Sequence, residues 1–124
     1  MYLIGCCIFL LAQEKTINEI IDEAIECFCV YDKNCGNIDA NNLEIEPIFR
    51  NGITYLYVVN TIKNGWVIVS NEKQYTQIIG HNNSGKFITD SVEMPCALRV
   101  LLNQHMNCID STRLEKKTIK KYTN

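Results

Sequence analysis

Gly65-Trp66-Val67-Ile68-Val69-Ser70 decides how the rest of this chain reads. A glycine opens the run, and four large apolar or β-branched residues follow without a polar break. A strand with one wet face alternates apolar and polar residues. One buried on both faces reads as a continuous apolar run, so 66–69 is expected at the centre of a sheet. Upstream, Ile53 to Val59 is dense in β-formers and alternates imperfectly. Asn51-Gly52 just before it is a strong short-range hairpin signal, and Lys63-Asn64-Gly65 supplies a second turn. Leu43, Ile45 and Ile48 indicate a further strand, which Pro47 restricts to an edge or a bulge. Residues 75–79 read as another strand, and 80–85 as a turn before Lys86-Phe87-Ile88.

Helices flank this region. Thr16-Ile17-Asn18-Glu19 is a capping box, in which hydroxyl and carboxylate each satisfy an unpaired amide at the helix start. Ile17, Ile20, Ile21, Ala24, Ile25, Phe28 and Tyr31 recur at three and four behind it, one face of a helix over 17–31. Residues 32–42, rich in Asn, Asp and Gly, read as a loop. Pro95 opens a second helix at a position that needs no amide hydrogen. Its stripe is Leu98, Leu101, Leu102, His105, Met106 and Ile109, and the apolar pattern fades after Asp110. The expected fold is α+β: a small antiparallel sheet of three to four strands packed with an N-terminal and a C-terminal helix.

Bulk properties limit function. At 124 residues, 47% hydrophobic and 21% charged, the chain has the balance of one folded domain. A net charge of −2 gives no steering toward nucleic acid or an anionic membrane. Residues 113–121 carry five bases against one acid, a local +4 that leaves −6 elsewhere. The domains expected are a signal-peptide remnant over 1–12, a folded domain over 13–110 and a basic tail over 111–124.

The first twelve residues are apolar and stop at Gln13-Glu14-Lys15, too short to span a bilayer and matching the core of a signal peptide that ends at Ala12. Leu3-Ile4-Gly5-Cys6 offers an alternative, a lipid anchor at Cys6. Either implies a secreted, periplasmic or cell-envelope location.

Reactive groups are sparse. The seven cysteines contain no Cys-x-x-Cys pair, and Cys27 and Cys29 point about 200° apart on a helix, so they cannot share a metal. Most are expected to be small buried apolar residues. Under export, a disulfide between two of Cys35, Cys96 and Cys108 is the alternative. His105 sits on an apolar stripe and reads as a packing residue. His81 and Cys96 have no third group to orient them as a nucleophile pair. Glu44 and Glu46 share a strand face and read as solvated. Tyr55, Tyr57 and Trp66 lack the basic patch that a nucleic-acid platform needs, and Trp66 and Val69 are assigned to the core. No phosphate loop, His-Glu-x-x-His or Gly-x-Ser-x-Gly motif occurs. The chain is expected to be no enzyme and to use no cofactor or metal.

One set of motifs is more specific. Leu56-Tyr57-Val58-Val59-Asn60, then Gly65-Trp66-Val67-Ile68-Val69-Ser70, Ile78-Ile79-Gly80-His81 and Ser84-Gly85-Lys86-Phe87 together resemble the Spi-type inhibitor family, whose domains are similar to the propeptides of streptopain-type cysteine proteases. The resemblance implies a stand-alone domain that occludes the active site of such a protease. It also implies that the segment before the last helix reaches toward the catalytic groups. Carried over by residue, that is Val92, Glu93 and Met94, where Glu93-Met94-Pro95 stands in place of the family's Asn-hydrophobic-Pro step. Pro95 biases Met94 toward an extended conformation, the shape a protease cleft accepts. The nucleophile motif of those proteases is missing before Asn124, so a dedicated inhibitor is expected. The alternatives are a small exported lipoprotein-like binding module and a vestigial propeptide fragment.

Overall fold

The computed structural model describes residues 14–31, 38–62, 65–75, 78–90 and 94–122, without the side chains of Tyr31 and of 115–122. Helix α1 spans Ile17–Tyr31, and strands β1 (Leu43–Arg50), β2 (Ile53–Thr61), β3 (Trp66–Ser70) and β4 (Ile78–Asn82) follow. A short 3₁₀ turn, Ala40–Asn42, precedes β1, and helix α2 is Cys96–Tyr122. The fold is α+β, with a four-stranded antiparallel sheet in the order β1-β2-β3-β4 and a helix toward each end of the chain. Two compact units divide the chain between Phe87 and Ile88.

The first unit is built around β2 and β3. Tyr57 lies opposite Val69 and Val59 opposite Val67 on one face; Leu56, Val58 and Asn60 lie opposite Ser70, Ile68 and Trp66 on the other. Val58, Val59, Val67 and Val69 are fully buried and Ile68 nearly so, as the unbroken apolar run requires. Helix α1 covers the Val59–Val67–Val69 face with Ile20, Ala24, Cys27 and Phe28. The observed stripe thus runs 20, 24, 27, 28. Ile17, in the first turn, is 48% exposed, and Cys27, absent from the predicted stripe, takes the core place expected of most of the cysteines.

The capping box forms as the sequence predicts. The Glu19 amide donates to Thr16 Oγ1 at 3.2 Å, and the Thr16 amide donates to Glu19 Oε1 at 3.4 Å. Ahead of it Glu14 pairs with Glu72 as an isolated bridge, and the Lys15 amide donates to the Asn71 carbonyl. The buried Lys15 ammonium meets Glu23 Oε2 at 2.7 Å. Asn71 Nδ2 donates to the Thr54 carbonyl, so one residue ties the start of the domain to the start of β2.

Asn51 and Gly52 turn the β1–β2 hairpin with φ of 54° and 76°, the two left-handed values that a two-residue turn demands. Strand β1 is an edge, as Pro47 requires, with a bulge between Ile48 and Phe49. Strand β4 differs from expectation: it begins at Ile78 and runs through Gly80 and His81 to Asn82, where a turn is predicted. A bulge between Ile68 and Val69 takes up one residue, and ladder pairing to β3 outweighs the weak strand preference of Gly, His and Asn.

In the second unit α2 buries Leu102, Met106 and Ile109, leaves Leu98 and His105 half-buried and exposes Leu101. The helix continues to Tyr122, twelve residues past the end of the apolar pattern. Lys, Glu, Arg and Leu are good helix formers, and the lysines of this stretch suit the negative end of the helix dipole.

The cysteine expectation is corrected. Among the described residues only Cys27 is buried, whereas Cys29, Cys96 and Cys108 are exposed and none is in a disulfide. Cys96 and Cys108 stand twelve residues apart on one helix, about 18 Å, beyond disulfide reach. Cys6, Cys7 and Cys35 lie outside the described residues, as does the whole segment 1–12.

Thr16→Ala is expected to cost about 1 kcal/mol in guanidinium unfolding with an unchanged slope. A change of only a few tenths would remove the capping box from the account. Burial pushes the Cys27 thiol up from its ordinary value. Below that ordinary value folded and unfolded states both hold the proton. Above it the unfolded chain ionises first, so stability should decline with rising pH through the alkaline range. Alkylation mapped by mass spectrometry on the native protein should accordingly label Cys29, Cys96 and Cys108 and spare Cys27; rapid native labelling of Cys27 would contradict its place in the core.

Candidate functional site

The last residues of the first unit follow no strand, yet they are fastened to the sheet at several points. Asn60 closes the apolar run of β2 and is 1% exposed. Its side-chain Nδ2 donates to the Phe87 carbonyl at 3.2 Å, and its Oδ1 accepts from the Phe87 amide at 2.8 Å. One side chain thereby supplies both bonds that a neighbouring strand would. A polar group this deep must be satisfied, and Phe87 satisfies it.

Two residues back, the Gly65 amide donates to the Gly85 carbonyl at 2.8 Å. Gly65 holds φ 108°, and a Cβ there would come within 3.1 Å of the Asn82 carbonyl oxygen, so both its conformation and its space call for glycine. Between these anchors Lys86 Nζ pairs with Glu44 Oε2 at 2.7 Å. The hydrogen bond to Glu44, then the charge of that carboxylate, holds the exposed ammonium above its ordinary value. Glu44 is therefore exposed as expected but joined to Lys86, while Glu46 is exposed as well.

The buried Phe87 ring meets Trp66 edge-on, with centroids 5.0 Å apart. Trp66 is half-buried, not a full core residue as its sequence context suggests; Val69 is fully buried. The reason lies in β3 itself: Trp66 is its first residue, where the sheet gives less cover than at Val67 and Ile68. Tyr55 is buried, with the Arg50 guanidinium 4.9 Å above its ring, and Tyr57 is half-buried. Burial, then the charge of Glu14, pushes the Tyr57 phenol up.

Beyond Phe87 the chain enters the second unit. Ile88 is exposed, Thr89 half-buried and Asp90 exposed. The Met94 amide donates to the Asp90 carbonyl at 3.1 Å. The Pro95 carbonyl then accepts from the Arg99 amide and starts α2. Of the three residues singled out, Val92 and Glu93 lie outside the described residues. Met94 is half-buried. Cys96, the first residue of α2, accepts from an Arg99 guanidinium nitrogen at 3.3 Å.

Sequence reasoning picked out Asn60, Gly65, Gly85 and Phe87 as motif members but not as partners. The one hint was a lone amide side chain at the end of a buried strand. His81 is exposed on β4 and His105 half-buried on α2. Among the described residues no group of three His, Cys, Asp or Glu side chains could hold a metal. None of their helices is long and apolar enough to cross a membrane.

A family model described as Spi protease inhibitor matches residues 14–109, which takes in α1, the whole sheet, the fastened segment and the first half of α2. No curated protein matches the chain, and no solved structure matches it. The family match covers well over half the sequence, and the chain belongs to the Spi protease inhibitor family.

Proposed function

We propose that this domain inhibits a streptopain-type cysteine protease by acting as a stand-alone propeptide-like cap over the active site. The observation that carries the reading is the family match from Glu14 to Ile109, which covers a fold built for presenting a surface. Inhibition of this kind is binding, so it needs shape held in advance and no reactive group of its own. Residues 92–94 are the part offered to the cleft. The preceding chain is fastened to the sheet as far as Phe87, and the Met94 amide donates to the Asp90 carbonyl ahead of Pro95.

Export of the domain, by signal peptide or by lipid attachment at Cys6, would put it where a secreted protease works. This part of the proposal rests on the apolar first twelve residues alone.

Changing Glu93 and Met94 together to Ala should weaken inhibition of a streptopain-type protease by about ten- to thirtyfold, since central contacts of an interface each contribute roughly 1–2 kcal/mol or more. The inhibition constant of the double variant against that of the unaltered chain is the measurement, and an unchanged constant would exclude the loop.

A further inference from the structure

We infer that Asn51 is a site of self-modification: the Gly52 peptide nitrogen displaces the Asn51 side-chain amide, while the fold protects the same dipeptide at 64–65. The chain holds two Asn-Gly steps, Asn51-Gly52 and Asn64-Gly65, and by sequence alone they are equivalent. Asparagine is a thermolabile residue. A following glycine exposes it most, because no Cβ stands in the way of the attacking nitrogen. What separates the two steps is the state of that nitrogen.

At the first step both residues are exposed. They form the tip of the β1–β2 hairpin, outside the ladder, which ends with Arg50 opposite Ile53. Nothing lies within 4 Å of the place a Cβ would take at Gly52. Among the described residues no backbone carbonyl accepts from the Gly52 amide. At the second step Gly65 is buried, and its amide donates to the Gly85 carbonyl at 2.8 Å. That nitrogen can attack only after a buried hydrogen bond has opened.

The step balances without oxidant or reductant. The Gly52 nitrogen gives its proton to solvent and bonds to Asn51 Cγ. The Cγ–Nδ2 bond breaks, ammonia leaves and a cyclic imide remains. Water then opens one of the two carbonyl–nitrogen bonds of the imide. One opening gives aspartate; the other gives isoaspartate, whose main chain runs through the side-chain carbon. One water enters and one ammonia leaves. Both products set a new carboxylate beside Arg50. Isoaspartate also adds a carbon to the main chain of a turn that depends on φ of 54° and 76°, so it loosens the Arg50–Ile53 end of the hairpin. No protease takes part, so the assignment stands or falls apart from the function proposed above.

Peptide mapping of the full chain, aged at mildly alkaline pH either folded or in guanidinium, tests the assignment, with isoaspartate detected by its methyltransferase. In the folded chain the acid forms should accumulate at 51 about tenfold or more faster than at 64, the factor set by the one hydrogen bond that must open. In guanidinium the two rates should converge, since only the fold tells the steps apart. Asn51→Gly keeps the left-handed turn and should abolish the change in its peptide. The aged folded chain should lose hydrogen-exchange protection at the Arg50–Ile53 end of the hairpin. Equal rates at 51 and 64 in the folded chain, or faster conversion at 64, overturn the assignment. Full protection at that end in chains carrying isoaspartate overturns its structural consequence.

Discussion

Val58 opposite Ile68 and Val59 opposite Val67, on opposite faces of one strand pair, is the constraint from which the rest follows. Strands buried on both faces leave no water for any polar group they carry. Each such group needs a partner inside the protein, and a lost partner costs about 1–3 kcal/mol. Asn60 and Ser70 are the polar residues of β2 and β3 that are buried this deeply, and both spend their side chains on backbone. Ser70 Oγ accepts from the Glu72 amide at the end of β3 and shapes the turn that leaves it. Asn60 captures Phe87. The apolar centre thus dictates where the irregular segments attach.

That arrangement suits a protein whose work is to bind. The central strands contribute rigidity, the edge strand β1 carries exposed carboxylates, and the segment after β4 is held by side-chain and backbone bonds in place of a fifth strand. A fifth strand would have carried its own direction onward. A side-chain clamp stops at Phe87 and leaves Ile88, Thr89 and Asp90 outside the ladder.

Much of this was legible in the residues. Asn51-Gly52 announced its hairpin because both residues readily take the left-handed conformation that a two-residue turn demands, and Thr16 with Glu19 announced the start of α1. Pro47 pointed to an edge. What stayed hidden depended on distance or competition. The Asn60–Phe87 pairing joins residues 27 apart, and local pattern carries no record of it. Gly80 and His81 have turn preferences that the β3 ladder overrides. Among the described residues, cysteines read as core by type are mostly surface by place, since Cys29, Cys96 and Cys108 fall on the outer sides of helices whose inner sides are already filled. At the site, the backbone bond from Met94 to Asp90 could not be seen from Pro95, which acts on the conformation of Met94 and not on its partner.

The central claim is that a surface fixed before binding silences a protease without chemistry of its own. The most direct measurement is titration of a streptopain-type cysteine protease with the intact chain, following residual activity and the mass of the recovered chain. The account predicts loss of activity at one inhibitor per protease, with the chain recovered uncut. Full activity at saturating chain, or steady cleavage of the chain within 90–94, would contradict it.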